Sequence, residues 1–326
     1  MKRSGWAWGR LAGGFAVLGV LCWQVGTGPF LHGLRSITVE SLVWAGLIAV
    51  VTTTAAAWRW TLVSRGLGVP MPLGHATAAY YRSQFLNTML PGGVLGDVHR
   101  AIAQGQDVGN VGRGLRAVAW ERSAGQVVQV AVALGVLLVL PSPVSSYVPT
   151  AAAILVLCLV IVVLGWRALP HSGPTWWRRA RHAVTTDLRL GVLATGVWPG
   201  VAAASLVVVA GHAATFVLAA RTAGVSASTP QLVALAVLVL MAMTIPANVG
   251  GWGPREGAAA GLFAAAGLGA AAGVAASTVY GLLVLVATLP GALVLLLGRR
   301  PASAVRRQGD PDHAVTDDQF GRLSHR

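Results

Sequence analysis

Long stretches of this chain contain no charged side chain, and this feature restricts the possible folds more than any other. Asp, Glu, Lys and Arg are all absent from residues 123–166, 190–220, 222–254 and 257–298. Each interval can hold one or two helices of about 20 apolar residues, the length that crosses a hydrocarbon core of about 30 Å. The intervals are continuously apolar and do not alternate in polarity, which favours helices over barrel strands.

Hydropathy predicts an all-α polytopic integral membrane protein with eight spans. The predicted spans lie near residues 11–30, 39–57, 118–140, 148–167, 198–220, 231–246, 258–275 and 277–298. The first span resembles a signal peptide, but no cleavage site of small residues follows it, so we expect it to remain uncleaved. Residues 1–300 are predicted to form one membrane domain, and the polar segment 301–326 a disordered cytoplasmic tail.

Arginines between the spans predict the orientation. With the amino terminus in the cytoplasm, only Arg35 and Arg221 of the inter-span arginines lie outside. This asymmetry requires the segment 73–95 to begin and end on the cytoplasmic side, as a re-entrant hairpin or interfacial helix. We therefore expect both termini in the cytoplasm of a bacterial cell, at its inner membrane. Trp58 and Trp60 are expected in the aromatic belt of the cytoplasmic interface.

The net charge of +14 might suggest a nucleic-acid ligand, but basic residues in short loops between apolar spans are what membrane topology requires. No nucleic-acid partner is therefore expected. Asp97 and His99 are two residues apart with no further ligand cluster near them, so no metal site is expected either. No motif indicates a cofactor.

Two segments interrupt the apolar helices with proline and glycine. The residues expected to break the helical backbone are Pro91, Gly92, Gly93, Pro246, Gly250 and Gly251. Lipid cannot hydrogen-bond the amides and carbonyls that such breaks leave unpaired, so protein or a water-filled cavity must cover them. Paired broken segments in the two halves of a chain indicate a binding site built between those halves.

Charged and amide side chains adjoin both breaks and form the predicted binding site. They are Arg82, Asp97, Arg100, Glu121, Arg122, Asn248, Arg255 and Glu256. Arginines and helix amino termini favour an anionic ligand, for which a phospholipid phosphate is the obvious candidate. We expect the two breaks to pack together, with Asp97 or Glu256 paired to an arginine of the opposite half. Alternatively, these are ordinary juxtamembrane charges, with Asp97 and Arg100 paired at three-residue spacing.

At both breaks the sequence resembles the transmembrane, flippase-like region of lysylphosphatidylglycerol synthases, which also occurs as free-standing bacterial proteins. The matching residues are Arg82, Phe85, Leu90-Pro91-Gly92-Gly93, Gly96, Asp97, Arg100, Glu121, Arg122, Pro254-Arg255-Glu256-Gly257, Tyr280-Gly281 and Leu289-Pro290-Gly291. The resemblance implies a multi-span domain that moves a modified lipid between leaflets, aminoacyl-phosphatidylglycerol in the named members. The second motif departs from the family pattern, because Trp252-Gly253-Pro254 intervenes before Arg255.

The leading hypothesis is a membrane protein that binds and translocates an anionic lipid. The soluble aminoacyl-transferring domain is absent, so lysyl-lipid synthesis is not expected, and the lipid could be different, such as a polyprenyl-phosphate-linked sugar. One alternative is a non-transporting partner of a glycosyltransferase or lipid synthase. Another is a membrane enzyme acting on a lipid phosphate, but an enzyme would need a cluster of acids or histidines at one interface. We therefore expect a transporter-like protein and not an enzyme.

The orientation can be tested with topology reporters. Fusions placed after Pro141 and after Ala227 should both report the outer side of the membrane, because each follows an odd number of predicted spans from a cytoplasmic amino terminus. Paired reporters that are active on only one side, such as alkaline phosphatase and green fluorescent protein, provide the measurement. A cytoplasmic signal at either position would overturn the arrangement.

Overall fold

The computed structural model describes residues 19, 23–24, 26–90, 93–168, 174–244 and 253–297. All regular secondary structure in these ranges is helical. Five helical stretches among them are long and apolar enough to cross a membrane, so the chain is an all-α, multi-pass membrane protein. Most of the predicted first span and the whole predicted tail, 301–326, lie outside the described residues.

The helices are numbered in chain order through the described residues. They are α1 (Gly28–Ser36), α2 (Val39–Gly66), α3 (Leu73–Met89), α4 (Leu95–Asp107), α5 (Val111–Val139), α6 (Val148–Ala168), α7 (Thr175–Asp187), α8 (Trp198–Thr222), α9 (Thr229–Ala242), α10 (Pro254–Ala265), α11 (Ala270–Thr288) and α12 (Pro290–Leu297). A 3-10 turn, Ser145–Tyr147, precedes α6, and a π-helical turn, Leu188–Val192, follows α7.

Side-chain caps explain where several of these helices begin. Thr38 accepts a hydrogen bond from the amide of Ser41 at 3.2 Å, and the Ser41 hydroxyl accepts one from the amide of Thr38 at 3.1 Å. This reciprocal pair satisfies amides that the first turn of α2 leaves without helical partners. Asn110 caps α5 with a single side-chain hydrogen bond, which it accepts from the amide of Arg113 at 3.0 Å.

The long apolar stretches coincide with five of the eight predicted spans. They are α2, α5, α6 with its preceding 3-10 turn, α8, and the combined stretch Ala270–Leu297 that contains α11 and α12. The predicted spans near 231–246 and 258–275 correspond to the shorter helices α9 and α10, of 14 and 12 residues. The number of membrane crossings stays a prediction.

The boundary predicted between the last two spans, at residues 275–277, is wrong. The structure ends α10 at Ala265 and begins α11 at Ala270, and α11 runs without interruption past residue 276. The turn between the two helices uses Gly267 and Gly269, whose φ angles of +75° and +86° favour glycine. The residues around this turn are uniformly rich in Ala and Gly. The hydropathy therefore does not change at the turn, and its position could not be predicted from hydropathy.

The predicted end of the second span near residue 57 is also wrong. Helix α2 continues to Gly66, so Arg59 and Trp60 belong to the helix and not to a loop. Both residues are buried, at 5% and 1% exposure, respectively. The predicted span ended just before Arg59 because a charged residue lowers the hydropathy there. In the structure, the charge of Arg59 is compensated by groups of the protein and not by water.

The segment 73–95, predicted as a re-entrant hairpin or an interfacial helix, contains α3 and the turn that leads to α4, and these two helices pack against each other. Their approach is so close that a methyl group at Gly96 would lie 2.1 Å from the carbonyl oxygen of Ser83. Between the helices Gly93 has a φ of +61°, which agrees with the predicted break in the backbone. The hairpin extends to Asp107, twelve residues beyond its predicted end at 95, and its depth in the membrane stays a prediction.

Helices α2 and α11 occupy the middle of the assembly. Helix α2 contacts α3, α5, α8 and α11, and α11 in turn contacts α1, α8 and α10. Aromatic packing consolidates the second half, where the ring of Phe216 lies 6.2 Å from that of Phe263 and 5.6 Å from that of Tyr280. The hairpin α3–α4 is held from outside by α5 and by α12. This arrangement leaves polar residues of several helices facing a shared interior.

Adding one methyl group at Gly96 should weaken the hairpin. Gly96→Ala places a carbon against the backbone of Ser83, where it cannot be accommodated by side-chain motion, and overpacking of this kind costs about 1–3 kcal/mol. The measurement is the unfolding temperature of the purified protein in detergent. Gly74→Ala is the matched control, because nothing lies within 4 Å of the corresponding position in α3. Equal unfolding temperatures for the two variants would contradict the close packing.

Candidate functional site

Glu121 on α5 is the centre of a buried cluster of ion pairs and has 0% exposure. Arg59 of α2 donates from Nε to Oε1 of Glu121 at 2.9 Å and from Nη1 to the Ser205 hydroxyl at 3.0 Å. Arg100 of α4 donates from Nη2 to Oε2 at 2.7 Å. Tyr80 of α3 donates from its hydroxyl to Oε1 at 3.3 Å. One carboxylate thus binds side chains from three other helices.

Asp97 on α4 extends this cluster, and it lines the groove beside Arg122. It pairs with Arg100, whose Nε donates at 3.0 Å, and with Arg122, whose Nη2 donates at 2.7 Å to the same carboxylate oxygen. Ser83 and Asn87 of α3 donate to Asp97 at 3.1 Å each. The ion pair predicted within α4 from the three-residue spacing of Asp97 and Arg100 is therefore present. The Asp97 carboxylate also connects α4 to α3, the other helix of the hairpin.

Arg100 is enclosed by aromatic rings as well as by carboxylates. Its guanidinium lies 4.5 Å from the ring centroids of both Trp60 and Tyr80, and the residue is 1% exposed. A cation over an aromatic face is stabilised by the ring quadrupole, most strongly where water is excluded. The prediction that Trp60 belongs to an interfacial aromatic belt is therefore wrong, because its ring covers a buried arginine.

The ionisable groups of α4 lie outside the long apolar helices. Burial raises the pKa of Asp97, but the guanidinium groups of Arg122 and Arg100 outweigh this effect and bring the pKa to about 2. Asp97 therefore stays ionised at neutral pH. Burial and the charge of Arg82 both lower the pKa of His99, so that its imidazole is neutral at pH 7.

Arg122 differs from the other two arginines of the cluster in its accessibility. Its side chain is 41% exposed, whereas that of Arg59 is 6% exposed and that of Arg100 is fully covered. Arg122 nevertheless keeps its ion pair to Asp97, at 2.6 Å from Oδ2. The cluster thus holds the Arg122 guanidinium in an ion pair while part of the Arg122 side chain remains accessible.

A second cluster lies at the start of α10. Glu256 accepts from Arg255 Nε at 2.9 Å, from the Ser277 hydroxyl at 3.2 Å and from the amide of Gly253 at 2.7 Å. The Arg255 guanidinium lies 5.4 Å from the ring of Tyr280. A methyl group at Gly281 would lie 2.3 Å from Arg255 Nη2, so the absence of a side chain at residue 281 makes room for the arginine.

Both clusters face one cavity of about 310 Å³. Its described lining residues are Thr52, Ala56, Arg59, Tyr80, Gln84, Asn87, Thr88, Gly93, Arg122, Gly125, Gln126, Gln129, Val208, Val209, His212, Met243, Arg255, Gly281, Val284 and Thr288. Arg122 comes from the first half and Arg255 from the second, so arginines beside the two predicted breaks share this space. The hydroxyl of Tyr280 lies 3.2 Å from Nδ1 of His212, which joins α11 to α8 next to the cavity.

Over residues 8–291 the sequence matches the family described as Lysylphosphatidylglycerol synthase TM region. The chain belongs to this family. No curated protein matches the sequence. Both charged clusters and the cavity lie within the matched residues, and the family relates the protein to the modification or flipping of lipids.

The family's two sequence breaks are only partly described. Pro91, Gly92, Pro246, Asn248, Gly250 and Gly251 lie outside the described residues, so their predicted roles are not tested. Gly93 lines the cavity. It also lines an adjoining groove together with Met243 and Thr244, the last described residues before the second break. The described ends of the two breaks are therefore neighbours in space.

One expectation about individual charges is wrong. Asp97 and Glu256 do not pair with arginines of the opposite half in the described structure, since Asp97 pairs with Arg100 and Arg122, and Glu256 with its neighbour Arg255. Both carboxylates are paired instead with arginines of their own half of the chain. Arg82 is not among the described residues that line the cavity, so its role in binding stays a prediction. Its charge contributes to the lowered pKa of His99.

Several residues of the site were not predicted from the sequence. Arg59 was assigned to a cytoplasmic loop, although an arginine followed by more apolar residues is a sign of a helix that continues past a compensated charge. Tyr80 and the amides Gln84, Gln126 and Gln129 were not singled out. Glutamine at four- and three-residue intervals after Arg122 on one helix was the available signal, because residues at this spacing share a face.

Neutralising Glu121 should destabilise the whole protein. Glu121→Gln leaves Arg59 and Arg100 buried without their shared counter-charge, and breaking a buried ion pair on one side costs about 3–5 kcal/mol. The unfolding temperature in detergent should fall far below that of the unmodified protein. Glu40→Gln, at an exposed residue in the first turn of α2, removes the same charge and should have little effect. A stable Glu121→Gln protein would show that the cluster does not hold these helices together.

Proposed function

We propose that the protein binds the phosphate of an anionic lipid at Arg122 and moves the lipid between the leaflets of the membrane. The observation that carries the proposal is the partly exposed side chain of Arg122, which lines a cavity with both polar and apolar walls inside a membrane bundle. A charged side chain held at membrane depth is costly unless it is paired or wet, and such side chains mark ligand or ion pathways. The family match supports a lipid as the ligand.

The ion-pair cluster supports recognition of an anion at this site. Arg122 is oriented by Asp97, so a lipid phosphate would meet a positioned guanidinium and not a flexible one, which lowers the entropy lost on binding. Three arginines, Arg59, Arg100 and Arg122, share two carboxylates in the cluster, which leaves one positive charge in excess. A phosphate monoanion would neutralise that excess.

The proposal includes translocation and not chemical conversion of the lipid. Asp97, Glu121 and Glu256 are each held in ion pairs with arginines, which is unfavourable for proton transfer to or from a substrate. A membrane partner of a glycosyltransferase or lipid synthase would also bind lipid, but it would not move lipid on its own. We further propose that the site belongs to the cytoplasmic half of a bacterial inner membrane protein, as the loop arginines predict.

Arg122→Gln should weaken binding of an anionic phospholipid at least about tenfold, because a hydrogen bond to a charged group contributes roughly 1.5–3 kcal/mol. Binding of phosphatidylglycerol to the purified protein in detergent provides the measurement. Arg122 is the most informative of the predicted arginines, because replacing Arg100 or Arg255 also breaks a fully buried pair. Arg178→Gln, on the exposed surface of α7, is the control for loss of general positive charge. Equal loss of binding in both variants would contradict the site.

Translocation is tested separately in vesicles that contain the purified protein alone. Fluorescently labelled phosphatidylglycerol should become accessible to a quencher outside the vesicle faster with the unmodified protein than with Arg122→Gln. The same vesicles with Arg178→Gln should match the unmodified protein. Binding that depends on Arg122 without any leaflet movement would instead favour the partner hypothesis.

A further inference from the structure

Uncharged hydrogen-bonding side chains make up nearly half of the described residues that line the cavity. The amides and hydroxyls among them come from α2, α3, α5 and α11, namely Thr52, Tyr80, Gln84, Asn87, Thr88, Gln126, Gln129 and Thr288. No carboxylate occurs among the described residues that line the cavity. Amides and hydroxyls both donate and accept hydrogen bonds, so they suit a ligand that also bears hydroxyl groups.

The charges around the cavity oppose a cationic headgroup. The guanidinium groups of Arg59, Arg122 and Arg255 all reach its lining. The carboxylates paired with the cluster arginines are those of Glu121, Asp97 and Glu256; the first two already accept from two arginines each, and Glu256 accepts from Arg255. An ammonium group placed in the cavity would therefore meet like charges and lack an available counter-charge, and like-charge contacts in a water-poor site are unfavourable.

An apolar groove of about 400 Å³ continues from the cavity past Arg122. Its apolar walls are formed by residues of α4 and α5 and by the residue that precedes α4, namely Val94, Val98, Ala101, Leu115, Val118 and Ala119. The groove and the cavity have Gly93, Arg122, Gln126 and Met243 in common. Arg122 thus lies where a polar space meets an apolar one, and an amphipathic ligand has its charged group at such a junction.

We infer that the lipid carries its anionic phosphate at Arg122, a small uncharged, hydroxyl-bearing headgroup in the cavity, and its hydrocarbon chain in the groove. This inference rests on the proposed function and adds the class of the lipid. A glycerol or a single sugar ring meets the requirement, since its hydroxyls find amide partners and it brings no positive charge. A headgroup with an aminoacyl ammonium group does not, although the family is described by a lysyl lipid.

Competition binding to the full-length protein in detergent tests this assignment. Phosphatidylglycerol and phosphatidylinositol carry hydroxyl-bearing headgroups, whereas lysylphosphatidylglycerol keeps the same phosphate and adds an amino group. The two uncharged headgroups should bind at least about tenfold more tightly than the lysyl lipid. Lysylphosphatidylglycerol that binds as tightly as phosphatidylglycerol, and is weakened by Arg122→Gln, would overturn the inference and leave the proposed function standing. Binding of all three lipids that is insensitive to Arg122→Gln would remove the proposed function itself.

A charge introduced in the cavity provides the converse test. Gln84→Glu keeps the hydrogen bond that Thr53 donates to the side-chain oxygen at 3.0 Å and adds the carboxylate that a cationic headgroup requires. The preference should shift toward lysylphosphatidylglycerol by about tenfold. Gln106→Glu adds the same charge at an exposed residue of α4 and should leave the preference unchanged. An unaltered preference in Gln84→Glu, or an equal shift in Gln106→Glu, would contradict a headgroup located in the cavity.

Discussion

Glu121 is ionised in a place where water cannot solvate it, and its charge depends on arginines supplied by two other helices. Arg59 precedes it by 62 residues and Arg100 by 21, so α2, α4 and α5 must all be in position before the carboxylate is satisfied. The energy of a buried charge that lacks its partners is large. This dependence links the hairpin of α3 and α4 to the long apolar helices, and it determines the orientation of Asp97 and, through Asp97, of Arg122.

In the second half of the chain, the buried carboxylate is also paired with an arginine, but the two residues are adjacent in sequence. Glu256 is paired with the adjacent Arg255, and Ser277 and the amide of Gly253 complete its hydrogen bonds. The contacts described for this cluster therefore join α10 to α11, which are consecutive in the chain. Polar groups inside lipid must be satisfied within the protein. The two halves meet this requirement differently, with distant partners in the first and neighbours in the second, even though both present an arginine to one cavity.

Sequence reasoning found the fold class and the family, because long charge-free intervals and the Pro-Gly segments are properties of single segments. It also selected Arg122 and Arg255 for the cavity, since both adjoin the segments that break the helical pattern. It failed where compensation came from far away in the chain. Arg59 lies inside a span only because Glu121 neutralises it, and no local pattern reveals that pairing. The turn at Gly267 and Gly269 was missed because the surrounding residues have uniform hydropathy.

The excess positive charge of the first cluster has an electrical consequence. Moving one elementary charge across a membrane involves about 2.3 kcal/mol for each 100 mV of potential. With Arg59, Arg100 and Arg122 set against Asp97 and Glu121, the empty cluster carries one net charge, and a bound phosphate monoanion cancels it. Any rearrangement that carries the loaded cluster through the membrane field would therefore do almost no electrical work, whereas the return of the empty cluster would be sensitive to voltage.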